Sequence, residues 1–230
     1  MTSRTLFGRA LAIALGVAVL AGSAAAQRMN AFEIGVFGGG YFGSQIYQGQ
    51  PPGGGPVYNV GVNSTGMYGV RLGYDVSRQF GVEFSWSSAQ PTLSFNGYSG
   101  TRPGGNLSNN NFDFDAMFMF GQQRVWGYFA LGLGWASFNP SVHDAQGNPV
   151  NISTKDYFSG NSALGMKVFV NPHIALQFDA RYRWTNTGHN TGSGTACSIY
   201  YYCYYYSSTW YGASELSGGI TYVAFKMLRK

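Results

Sequence analysis

Residues 170–184 read VNPHIALQFDARYRW and alternate strictly once past the proline. Ile174, Leu176, Phe178, Ala180, Tyr182 and Trp184 fall on one side; His173, Ala175, Gln177, Asp179, Arg181 and Arg183 fall on the other. A period of two is a β-strand with two chemically different faces. Asn171-Pro172-His173 ahead of it is a turn signal. The polar face sets Asp179 against Arg181 and Arg183, while the apolar face ends in two aromatic rings. Lipid on one side and a packed ionic interior on the other would account for both faces.

Composition agrees with that reading. The chain is 17% aromatic and only 10% charged, against about 25% charged for an ordinary soluble domain. It holds 34 glycines, and its mean hydropathy is −0.10. Residues 1–26 have the form of an export signal: basic Arg4 and Arg9, an apolar stretch over 11–20, then Ala24-Ala25-Ala26. The mature chain is expected from Gln27, with 27–230 forming one barrel domain. The apolar part of the signal is too short to span a bilayer, and no later run approaches the roughly 18 apolar residues of a membrane helix. No Arg-Arg pair and no cysteine stand near the cleavage point, which points to general secretion. The formal charge of +5 falls to about +3 without Arg4 and Arg9, and the basic residues form no stripe, so nucleic acid is not an expected partner.

The same alternation recurs along the chain. Strands are expected over residues 32–42, 66–76, 80–88, 111–120, 124–138, 156–170, 174–184 and 213–225. The connections alternate short and long. An up-and-down outer-membrane barrel has that rhythm, with tight periplasmic turns and long external loops. The expected fold is therefore all-β: an eight-stranded antiparallel up-and-down transmembrane β-barrel. Residues 43–63, 89–110 and 139–155 read as loops. Within them, 57–62 and 91–98 could extend hairpins or pair separately to give ten strands. Gly132 and Gly134 suit the crowded inside of a narrow barrel.

FEIGVFGGGYFG (32–43), MYGVRLGYDVSRQFGVEFSW (67–86), WGYFALGLGW (126–135) and NPHIALQFDARYRW (171–184) resemble the eight-stranded barrels of the OmpA-like and opacity-protein superfamily. The resemblance covers nearly the whole mature chain. It implies a bacterial outer-membrane protein that meets lipid and lipopolysaccharide, is inserted by the barrel-assembly machinery and acts as a monomer. The chain departs from the family in continuing past Phe225, where many members end on an aromatic residue. The peptidoglycan-binding domain of the longer family members is absent from this sequence.

Four groups of residues carry candidate chemistry. Arg71, Lys167, Arg181 and Arg183 are expected inside the barrel with Asp75, Glu83, Asp113, Asp115, Asp179 and Glu215, because charges in a narrow lumen must pair or hydrate. Cys197 and Cys203 are the only cysteines, and in an exported protein they are expected to form one disulfide. Around them Tyr200, Tyr201, Tyr202, Tyr204, Tyr205 and Tyr206 suit either an interfacial girdle or surface recognition, since tyrosine binds at low entropic cost. His143, His173 and His189, with Ser141, Asp144 and Ser193, form no specific catalytic motif. Gly38-Gly39-Gly40-Tyr41-Phe42-Gly43 matches G-x-G-x-x-G, but no helix follows, so it fails as a nucleotide loop.

The functional expectation is a non-enzymatic barrel with a structural envelope role and surface adhesion through its loops. It assigns no catalytic residue, metal or cofactor. The rivals are a narrow channel for ions or small solutes and, further off, a lipid A-modifying enzyme.

Overall fold

The computed structural model describes residues 30–49, 58–97, 100–122, 124–143, 149–150, 154–186, 196–197, 203–204 and 210–225. Eight long strands make the wall: β1 (Ala31–Gly43), β2 (Thr65–Asp75), β3 (Phe80–Ala89), β4 (Gly100–Gln122), β5 (Val125–His143), β6 (Lys155–Asn171), β7 (Ile174–Asn186) and β8 (Trp210–Phe225). Each pairs antiparallel with the next. β8 then pairs with β1 from Ala31↔Phe225 to Gly43↔Ala213, which closes the barrel.

Register sets the shape of the wall. Partners followed from Ala31 through Asp75, Gly81, Met117, Ala130, Ala163, Arg181 and Glu215 lead back to Tyr41, ten residues further along β1. Such a stagger goes with strands tilted by about 40° and an interior that side chains fill. The tight turns sit at one end. In the β6–β7 turn, Asn171 Oδ1 accepts from the backbone N–H groups of His173 and Ile174, both at 2.8 Å. In the β2–β3 turn, Ser77 Oγ accepts from Phe80 N–H at 3.0 Å.

All three of the expected loops 43–63, 89–110 and 139–155 are partly strand. Residues 89–110 are not one polar loop: Thr92–Gly97 is a strand, and β4 begins at Gly100. The inward alternation continues unbroken through Leu107, Asn109 and Asn111, all buried. The outward residues there are polar because no lipid-facing side is needed above the membrane, which hides the strand from a search for apolar faces. Gln45–Gly49 pairs with Tyr58–Val62, which pairs with Thr92–Gly97, which pairs with the start of β4. Within the 57–62 and 91–98 stretches, the strands Tyr58–Val62 and Thr92–Gly97 thus raise the rim and leave the barrel itself eight-stranded. β5 likewise runs on to His143, inside the stretch expected as the 139–155 loop.

Outside, Val36, Phe114, Leu133 and Leu164 are 59–62% exposed. A belt of bare hydrophobic side chains this large has lipid as its solvent. Aromatic rings cover several outward glycines, as Phe178 does Gly218 and Trp184 does Gly160. Inside, the core has three layers. Met119, Trp126, Phe169 and Val223 belong to an apolar floor at the short-turn end. Tyr41, Val62, Leu93, Leu107, Phe138 and Tyr211 belong to an apolar cap towards the other end. Charged residues lie between.

Candidate functional site in the barrel interior

The inward period-two positions deliver the charges. Arg71 comes from β2, Glu83 from β3, Asp113 and Asp115 from β4, Lys167 from β6, Asp179, Arg181 and Arg183 from β7, and Glu215 from β8. All are buried, as is Asp75 on β2. A further member, Glu33 of β1, pairs with Lys167 and was not in the expected set. Its signal was readable: Glu33 alternates with the outward Phe32 and Ile34. Its inward neighbours Gly35, Phe37 and Gly39 gave the strand no ionic character.

The centre of the network is Arg183. Its Nη1 and Nη2 donate to the two oxygens of Asp113 at 2.6 and 2.8 Å, and its Nε donates to Glu215 Oε1 at 3.0 Å. This is a two-pronged guanidinium–carboxylate contact of the strong kind. It crosses the lumen, since β7 and β4 are not neighbours in the wall. Arg181 makes the same crossing to Asp115, Nη2 to Oδ2 at 2.8 Å. Asn161 donates to Asp115 Oδ1 at 2.9 Å and accepts from Arg181 at 3.2 Å, so it steadies both partners.

Lower in the lumen, Arg71 donates to Asp179 Oδ2 at 3.2 Å, and Ser217 Oγ donates to the same oxygen at 3.0 Å. The Arg71 guanidinium lies 4.3 Å from the centre of the Phe37 ring. Glu83 stands between two arginines, 3.8 Å from Arg71 and 3.9 Å from Arg181. Gln177 joins this layer to the floor: its Nε2 donates to Tyr128 Oη at 3.0 Å, and its Oε1 accepts from Thr221 Oγ1 at 3.2 Å.

Glycine makes room for these groups. A Cβ at Gly132 would overlap Asp115 Oδ1, and one at Gly134 would lie 2.7 Å from Asp113 Oδ1. What remains open among Arg71, Glu83, Asp113, Asp179, Arg183 and Glu215 is a cavity of about 10 Å³. That is at most the room of one water molecule.

The other expected sites fare differently. Cys197 lies opposite Cys203 in a two-residue ladder, Ala196–Cys197 with Cys203–Tyr204. Their side chains lie outside the described residues, as do Tyr200, Tyr201, Tyr202, Tyr205 and Tyr206 and the side chain of Tyr204. His189, Asp144 and Ser193 also lie outside them. His143 ends β5, and Ser141 is exposed near it. His173 sits in the β6–β7 turn with its Nδ1 3.1 Å from the Val223 carbonyl oxygen. The structure thus does not bring His173 to the external serines. Among the described residues, no three His, Cys, Asp or Glu side chains are grouped to hold a metal ion.

A closed antiparallel wall, apolar outside and ionic within, defines a transmembrane β-barrel of the outer-membrane class. The chain belongs to the outer membrane protein beta-barrel domain family, which it matches over residues 12–201. It is a protein of the bacterial outer membrane, in contact with its lipid. Its fold is similar to that of the outer membrane protein OprG from Pseudomonas aeruginosa, with 12% identity, a TM-score of 0.58, and coverage of 88% of this chain and 100% of that one. It is also similar to the outer membrane protein AlkL, solved by solid-state NMR in DMPC bilayers, with 18% identity, a TM-score of 0.56, and coverage of 91% and 96%. At these identities the likeness concerns the fold. A comparison with curated proteins finds no match.

Proposed function

We propose that this protein is a sealed, non-enzymatic barrel that stiffens the outer membrane and displays its loops at the cell surface. The observation that carries the reading is the Arg183–Asp113–Glu215 contact across the lumen, held between an apolar floor and an apolar cap. An ion crossing this lumen must break paired charges in a poorly hydrated space, which costs several kcal/mol per group. The narrow-channel reading requires that opening; the sealed reading does not.

Residues 1–26 act in this reading as a removable export signal, and 27–230 as one monomeric barrel delivered by the assembly machinery. Cys197 and Cys203 form a disulfide in the tyrosine-rich external loop, which contacts lipopolysaccharide or another surface. The cross-strand pairing of the two cysteines supports the disulfide. Planar-bilayer recording tests the seal. Silence at moderate voltage is expected, and stable unitary currents would overturn it. Deleting residues 197–206 tests the surface role. Unchanged cell binding would remove that loop as the contact.

A further inference from the structure

Between the charged layer and the apolar cap lies a band of neutral polar side chains. On β4, Asn111 and then Asn109 are the inward positions above Asp113. On β6, Ser159 is the inward position above Asn161, and on β7, Thr185 is the one above Arg183. All four are buried to 1% exposure or less. Five of their side-chain atoms have no hydrogen-bond partner among the described residues: Asn109 Nδ2 and Oδ1, Asn111 Oδ1, Ser159 Oγ and Thr185 Oγ1. Asn111 Nδ2 lies 3.5 Å from Ser87 Oγ.

Register brings these atoms to one part of the lumen. Ser159 and Thr185 are direct partners on β6 and β7. Arg183 touches Asp113 across the barrel, so the next inward positions towards the cap, Thr185 and Asn111, face the same space. The wall beside the amides cannot satisfy them. Asn111 is paired with Ala136, and Asn109 stands between Ala89 and Phe138. Leu107, Phe138 and Tyr211 of the apolar cap close the space from above.

Buried polar atoms in native proteins are partnered nine times in ten or more, by protein or by ordered water. Five orphans in one layer therefore call for a guest. Its chemistry follows from theirs. Asn109 offers a donor and an acceptor, Asn111 an acceptor, and the two hydroxyls either role. The guest must both donate and accept, and a bare cation would leave the Asn109 N–H groups unmet. We propose that this layer is an internal water site, in which bound waters join Asn109 and Asn111 of β4 to Ser159 of β6 and Thr185 of β7. At about three hydrogen bonds per buried water, five orphan atoms call for roughly two molecules. The site lies one inward position above the Arg183–Asp113 crossing and hydrates it from the cap side.

The test uses the full barrel in detergent micelles. Oxygen-17 magnetic relaxation dispersion counts long-lived waters, in the wild type and in a variant carrying Asn109→Leu and Thr185→Val. The count is expected to fall by roughly two. Thr185→Val alone exchanges a hydroxyl for a methyl of the same size, and its denaturant midpoint in lipid vesicles is the second readout. Losing a hydroxyl that holds water lowers the midpoint, whereas losing a buried hydroxyl with no partner raises it. Heat-modifiable gel mobility confirms folding; if the double variant fails to fold, the count and midpoint of Thr185→Val decide. An unchanged count, or a raised midpoint for Thr185→Val, would overturn the proposal. So would a wild-type midpoint that differs between sodium, potassium and choline chloride at equal ionic strength while Thr185→Val does not, which makes a cation the occupant.

Discussion

Arg183 on β7 holds Asp113 on β4 through two guanidinium–carboxylate hydrogen bonds of 2.6 and 2.8 Å, across the lumen of the barrel. Neither residue is near the other in sequence or in the wall. The contact therefore ties opposite sides together and does so in a space with little water. Breaking such a pair from one side leaves a buried charge uncompensated. Arg183→Met is expected to destabilise the barrel by about 3–5 kcal/mol. Denaturant unfolding in lipid vesicles measures this. Adding Asp113→Asn and Glu215→Gln to the same chain should recover most of the loss, because no orphaned charge then remains.

The two sides of the network are not equivalent. Among the described residues, seven carboxylates and four cationic side chains are buried in the inner wall. Each arginine therefore has more than one acid within reach, and losing one acid strands no arginine. Glu215→Gln is expected to cost about 1 kcal/mol, the scale of one hydrogen bond, since Asp113 keeps the two-pronged contact with Arg183. Equal losses for Glu215→Gln and Arg183→Met in the same unfolding experiment would contradict this account.

Gly132 offers a steric test of the same layer. Its inward Cβ position is taken by the Asp115 carboxylate. Gly132→Val must push that carboxylate away from Arg181 and Asn161, its partners at 2.8 and 2.9 Å. Overpacking costs about 1–3 kcal/mol, and separating the ion pair adds to it. Gly127, an outward glycine on the same strand, lies under the Phe120 ring, which can turn aside into lipid. Gly127→Ala should cost less, as judged by midpoint shifts under identical conditions.

Much of this interior was legible because alternation is local. Asp179, Arg181 and Arg183 declare their face within a single strand, and the outward Phe178, Ala180 and Tyr182 confirm it. Their partners were not legible. Arg183 meets Asp113 only because the register climbs ten residues round the wall, a property that no single strand carries. Glu33 was hidden by its glycine neighbours. The first residues of β4 were hidden because strands above the membrane have no apolar face to betray them. The inward Leu107 and Asn109 were the remaining clue.

The outer wall predicts the opposite response to charge. Leu133 on β5 is 61% exposed, yet its surroundings are lipid. Leu133→Arg is expected to cost about 2–4 kcal/mol, the price of a cation near the bilayer midplane. In a water-soluble sheet the same change at so exposed a site would be nearly neutral. Unfolding free energy in vesicles decides between these, and a neutral result would remove Leu133 from the lipid-facing belt.

Phe37 is the one large ring set into the ionic layer from β1. It sits between Gly69 of β2 and Gly219 of β8, whose missing side chains accommodate it. Its face meets the Arg71 guanidinium at 4.3 Å, and its edge borders the 10 Å³ cavity. Removing the ring joins its volume to that cavity and takes away the support on which Arg71 rests. Phe37→Ala is expected to cost about 3–5 kcal/mol. The same change should also let Arg71 leave Asp179 intermittently, since the hydrogen bond at 3.2 Å and the longer contacts to Ser217 at 3.5 Å and Glu83 at 3.8 Å would then hold it without the ring behind it. Brief, flickering currents should appear in planar bilayers for Phe37→Ala, with Phe37→Leu quieter because it fills more of the space. If the alanine variant is as silent as the wild type while unfolding at lower denaturant, Phe37 supports stability alone, and the seal rests on the Arg183 and Arg181 crossings above it.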